Sequence, residues 1–187
     1  VNNDVVVLSA GSAAAGGSGN AKQDSNEPLT TLNGKTFVCP VYMQTVAYTG
    51  NCRPMNMKEQ IYTNTDSCYI TGTSNSEATL KIWAVGPAAG DGDWDGAFVT
   101  KSITYTISGT TITFTCEGIT STGTITGSGS FTIAGSTIEN TPSNNNHFLR
   151  GEANSQGWDG SNITGDMIFI EGNAPSAGKQ EQRTTYY

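Results

Sequence analysis

Asp91, Asp93 and Asp95 stand at alternate positions and are followed at once by Gly96. Alternate carboxylates on a tight turn converge on one hard cation, calcium being the one that prefers an oxygen cage, and glycine permits the sharp bend. The three aspartates are therefore candidate calcium ligands, and calcium is the one cofactor suggested. The plainer reading is a solvated acidic turn beside a packed Trp94. Trp94-Asp95-Gly96 recurs as Trp158-Asp159-Gly160. Indoles at Trp94 and Trp158 could stack on sugar rings while neighbouring Asp and Asn side chains bond the hydroxyls, which makes extracellular glycans a candidate partner. The alternative is two core-edge tryptophans followed by Asp-Gly turns. Catalysis has little support. The single histidine, His147, follows three asparagines, and no nucleophile elbow, zinc-protease motif or phosphate-binding glycine loop accompanies it. A carboxylate pair such as Asp93 with Glu117 or Glu152 is the remaining route to a glycosidase. The expectation is that the chain is not an enzyme.

From Asp91 to Gly96 the run resembles the opening of the calcium loops of EF-hands and dockerins, and the resemblance implies a bound calcium ion. The twelfth position, where those loops carry a bidentate glutamate, is Ser102 here. A carboxylate from elsewhere, Asp159 or Asp166, would have to complete the cage.

Composition narrows the setting. A chain of 187 residues fits one domain with a real core. The formal charge of -7 argues against nucleic acid or an anionic membrane as partner. Charged residues make up 13% of the chain, against about 25% in ordinary globular proteins. The neutral, hydroxyl-rich surface this leaves repels its own copies weakly and suits repeated packing. No apolar run approaches the ~18 residues needed to span a bilayer, so no membrane span is expected. A first residue of Val rather than Met suggests removal of a signal peptide. The four cysteines, Cys39, Cys52, Cys68 and Cys116, fit two disulfides in an oxidising compartment. The favoured assignment joins Cys52 to Cys68 and Cys39 to Cys116, with buried free thiols as the alternative. No CxxC pair points to zinc. The expected location is secreted, either extracellular or at the cell surface.

The elements that would position these residues are strands. Ile103, Tyr105 and Ile107 alternate with Thr104, Thr106 and Ser108, and after a turn Ile112, Phe114 and Cys116 alternate with Thr111, Thr113 and Thr115. A second hairpin runs from Thr122 to Thr126 and from Ser130 to Ile133, and the strands together read as a meander. Thr36 to Tyr48, Cys68 to Thr71, Ala78 to Val85 and Asp166 to Glu171 are further strands, and only Met55 to Ile61 could hold a short helix. Many short strands with turn signals predict an all-β chain, read as an antiparallel β-sandwich of the Ig-like or jelly-roll-like Greek-key kind with extended N- and C-terminal arms.

The expected organisation is an N-terminal arm at 1–27, a sandwich domain at 28–172 and a C-terminal arm at 173–187. The first arm carries Val5, Val6, Val7 and Leu8 ahead of a Ser/Ala/Gly run. Burying those four side chains is worth roughly 6 to 12 kcal/mol, whereas ordering about fifteen residues costs ~1 to 2 kcal/mol each. Docking therefore needs a receiving groove or sheet edge, the logic of strand donation between subunits. Tyr186 and Tyr187 could anchor the second arm on a neighbour. The leading expectation is a secreted structural subunit whose partners are copies of itself, assembled head to tail into a filament or surface layer. The alternative is a secreted carbohydrate-binding or adhesin domain, with calcium as a candidate cofactor.

Overall fold

The alternating segments form one antiparallel meander that curls until its ends meet. The structure is a computed structural model and describes residues 27–47, 57–85, 96–135, 137–139 and 160–186. Its strands are β1 (Thr36–Ala47), β2 (Met57–Gly72), β3 (Glu77–Val85), β4 (Gly96–Ser108), β5 (Thr111–Cys116), β6 (Ile119–Gly127), β7 (Ser130–Ile133), β8 (Thr137–Glu139), β9 (Gly160–Thr164), β10 (Met167–Glu171) and β11 (Lys179–Tyr186). Each of β1 to β6 pairs with the next strand in sequence, β7 pairs with β10, and β1 pairs with both β10 and β2. The sheet thus closes into an eight-stranded barrel of β1 to β7 and β10.

The expected sandwich is corrected to a barrel. Alternation of inward and outward residues is the same in both architectures, and only the pairing of β1 with β10, Phe37 opposite Glu171 and Val38 opposite Ile170, closes the sheet on itself. Successive strands are neighbours around the wall, so the connectivity is up-and-down rather than Greek key. The interior is filled. Phe37, Phe114, Phe131 and Phe169 lie at its centre, with Phe131 stacked on Phe169 at 4.9 Å, and Ile70, Leu80, Ile112, Ile133 and Met167 pack around them fully buried. Threonines 104, 106, 111, 124 and 126 face solvent as the alternation predicts. An apolar inside and a hydroxyl-rich outside is the reverse of the polarity of a membrane-spanning barrel. No helix among the described residues is long and apolar enough to cross a membrane.

Tight turns close the foot and the far end of the meander. Glu117 and Gly118, at φ 52° and 79°, join β5 to β6 in the left-handed conformation that two-residue hairpins require. At the foot, Leu29 and Leu32 enter the core ahead of β1. Gly72 accommodates that approach, since a Cβ there would overlap the Leu32 carbonyl.

β1 and β2 outrun the barrel. Their upper parts, Val41 to Ala47 against Glu59 to Thr65, remain paired with each other, while β9 adds to β1 and β11 adds to β2. With β8 on β9 this forms a panel, β8-β9-β1-β2-β11, that continues one wall upward. The handover occurs at a register shift between Cys39 and Val41, opposite Asp66, whose φ is 50°. Two expectations change here. Met55 to Ile61 is the one segment whose sequence could hold a short helix, but from Met57 onward it is strand, because hydrogen bonding to β1 on one side and β11 on the other overrides local propensity; Met55 and Asn56 lie outside the described residues. The C-terminal arm is also largely a strand, β11, laid on β2 of its own chain.

Candidate functional site

The face of the panel continuous with the core is polar. Tyr42 belongs to the core cluster, and its cross-strand partner Asn64 shares its face. Above them Gln44 pairs with Tyr62, and β11 sets Gln180 beside Asn64 and Gln182 beside Tyr62. Residues on the inner face of these strands recur at period two, so Gln60, Tyr62 and Asn64 lie in one column and all are buried. Tyr62 donates from its hydroxyl to Gln60 Oε1 at 2.8 Å, and Gln180 donates from Nε2 to Asn64 Oδ1 at 3.0 Å. Asn64 is 1% exposed, yet its Nδ2 has no hydrogen-bond partner. A buried amide N–H left unmade costs about 1 to 3 kcal/mol. Chemically, the column offers amide donors and acceptors beside two phenol rings.

The panel rises at the end of the barrel where β1 ends and β2 begins. β3 ends and β4 begins at the same end, with Val85 opposite Gly96, as do the end of β8 and the start of β9, with Glu139 opposite Gly160. The sequence between Val85 and Gly96 holds Asp91, Asp93, Trp94 and Asp95, and the sequence between Glu139 and Gly160 holds His147, Glu152, Trp158 and Asp159. These residues, with Val5, Val6, Val7, Leu8, Cys52 and Tyr187, lie outside the described residues. Among the residues that are described, Asp166 is exposed between β9 and β10, Ser102 is exposed on β4, and Tyr186 ends β11 with 62% of its surface exposed. Glu117, exposed at the β5–β6 turn, reaches Lys101 Nζ at 3.8 Å. No group of three or more His, Cys, Asp or Glu positioned to hold a metal occurs among the described residues.

The cysteines do not pair as expected. Cys39, Cys68 and Cys116 are buried free thiols, so the Cys39–Cys116 bridge is not formed, and Cys68 is free as well. Cys39 instead lies directly opposite Cys68 across the β1–β2 ladder, while Cys116 lies opposite Ile119. Burial pushes the Cys39 thiol up to about 12, partly opposed by hydrogen bonding to the backbone at Val41 and Ile168. Cys68 is held well above the ordinary thiol value by burial and then by the neighbouring Cys39. Cys116 is raised by burial too, with Lys101 opposing. These are poor nucleophiles in the folded barrel.

Two surface features complete the picture. On the outer wall, Val41 (52% exposed) and Met43 on β1 and Ile168 (50%) and Ile170 on β10 are exposed apolar side chains on two paired strands, an apolar strip in which Ile170 stands opposite Val38 and Met43 opposite Thr164 of β9. A second cluster joins Tyr69, Phe98 and Trp83 edge to face at 5.1 and 4.9 Å. Gly178 presses against that indole, and Ser67 holds the start of β11 by donating to the Lys179 carbonyl at 3.1 Å.

Reading the sequence singled out Trp94 and Trp158 but missed Trp83, the amide column and the apolar strip. The signal for the column was available, because Gln60, Tyr62 and Asn64 alternate. It was obscured because amides are ordinarily assigned to the solvent face. Comparison of the chain with protein-family models, with curated protein sequences and with solved structures finds no match to any of them.

Proposed function

We propose that this protein is an extracellular structural subunit that assembles with copies of itself, the apolar segment Val5 to Leu8 of one subunit docking on the next. The observation that carries the reading is the strip of Val41, Met43, Ile168 and Ile170, four exposed apolar side chains gathered on two paired strands, since exposed apolar patches mark interaction surfaces. Among the described residues β8 and β11 are the two margins of the panel, and they support it as places where a strand can add. The weakly charged, hydroxyl-rich surface supports repeated packing of like subunits. Negative-stain microscopy of purified protein tests the proposal. Fibres or sheets formed by the full chain and lost on deleting residues 1–19, with the truncated protein still folded, are the expected result; polymers that persist after the deletion contradict it.

A second reading is favoured by the amide column and its unpartnered Asn64 Nδ2, at the end where the segments bearing Trp94 and Trp158 attach. Amides beside aromatic rings are the chemistry of carbohydrate recognition. On that reading the protein is a secreted glycan-binding or adhesive domain, with calcium at Asp91, Asp93 and Asp95. Loss of glycan binding in Trp94→Ala or Trp158→Ala without a change in oligomeric state is its expected signature.

A further inference from the structure

We propose that Cys39 and Cys68 are an oxidisable pair that forms a cross-strand disulfide, fastening the β1–β2 hairpin at the point where the barrel hands over to the panel. The two residues are direct partners in the antiparallel ladder, and both are fully buried on the core side. Directly opposed residues in such a ladder have Cα atoms about 4.5 or 5.5 Å apart, and a disulfide spans Cα separations of about 4.4 to 6.8 Å. Any ladder pair facing the same way meets the first requirement. What distinguishes this one is the bulge immediately beyond it, where Pro40 supplies no N–H and Asp66 turns to φ 50°. A bulge loosens the ladder and adds local twist, giving the sulfurs freedom to reach the bonded geometry. Cys116 has no cysteine opposite it and stays a thiol.

The chemistry is thiol–disulfide exchange with a low-molecular-weight disulfide such as glutathione disulfide. The thiolate of one cysteine attacks the donor, forming a mixed disulfide and expelling one glutathione thiolate; the second cysteine then attacks its partner's sulfur and expels the other. Two protein S–H bonds are lost, one S–S bond forms, and one glutathione disulfide is reduced to two glutathiones. Because neither thiol is accessible in the finished barrel, exchange takes place while the chain folds.

Reduced, denatured protein refolded in a glutathione redox buffer, then alkylated after denaturation and mapped without reduction, tests this. Cleavage at Met43, Met55 and Met57 separates Cys39 from Cys52, and trypsin at Lys81 and Lys101 separates Cys68 from Cys116. The expected result is a linked pair of peptides carrying Cys39 and Cys68, with Cys116 alkylated, and a higher urea midpoint for oxidised than for reduced protein. Alkylation of both Cys39 and Cys68, or linkage of either one to Cys52 or Cys116, overturns the proposal. This outcome is independent of whether the protein polymerises or binds glycans.

Discussion

The hydroxyl of Tyr105, on β4, accepts the backbone N–H of Leu32 at 3.0 Å, joining residues 73 positions apart. The same hydroxyl donates to the Ser74 carbonyl at 2.7 Å, so one phenol ties the segment ahead of β1 to the β2–β3 turn and to the barrel wall. Removing it leaves a buried backbone N–H unmade, and Tyr105→Phe is expected to cost about 1 to 3 kcal/mol. Urea unfolding checks this, with the midpoint falling at unchanged slope.

Phe131 is the hub of the aromatic core, meeting Phe37 at 5.3 Å, Phe114 at 5.5 Å and Phe169 at 4.9 Å. Phe131→Ala opens a cavity among rings that cannot collapse around it, and a loss of about 3 to 5 kcal/mol is expected. Phe131→Leu retains most of the volume and should cost distinctly less. Equal losses in the two variants, measured by denaturant titration, would contradict this account of the core.

Two glycine substitutions should part sharply. At Gly72 a Cβ overlaps the Leu32 backbone, so Gly72→Ala forces the buried Leu29–Leu32 segment away from the foot. At Gly127 the nearest atom is Ser130 Oγ, 3.5 Å away, an ordinary contact. Gly127→Ala is expected to stay within about 0.5 kcal/mol of the parent, and Gly72→Ala to unfold at much lower urea.

Charges placed on the apolar strip should separate association from folding. Val41 and Ile168 are exposed, so lysine at both is expected to change stability by less than about 0.5 kcal/mol. If the strip is the contact between copies, sedimentation of Val41→Lys with Ile168→Lys shows small species where the parent shows large ones. Unchanged assembly would move the contact elsewhere on the surface.

Alkaline stability follows from the buried thiols. Above the ordinary thiol value of 9.0 the unfolded chain loses protons that Cys39, held up to about 12, retains in the reduced folded state. The folded state then binds more protons, so stability that is complete below pH 9 declines as pH rises towards 12. Cys68, raised by burial, adds to the decline in the same direction. Denaturant midpoints of the reduced protein measured across this range should fall more steeply for the parent than for Cys39→Ala, and parallel profiles would show that the thiols contribute nothing.

The period-two alternation of Ile103, Tyr105, Ile112 and Phe114 against threonine determined, by itself, that the chain is all-β and which residues face the core. That information is local, because side-chain direction in a strand depends only on the chain's own pleat. Closure was not legible. It rests on β1 meeting β10, residues whose partners lie more than a hundred positions away, and no local pattern distinguishes a strand in a barrel from one in a sandwich. The same holds for the sites. Cys39 and Cys68 were visible as cysteines, but only the β1–β2 register sets them opposite each other. Gln60, Tyr62 and Asn64 read as ordinary polar residues until β1 and β11 flank them and turn their column into the floor of a polar face. The sequence alone determined what each strand would bury; which buried and exposed groups meet was decided by long-range pairing, because hydrogen bonds between distant strands form only when the whole sheet has chosen its order.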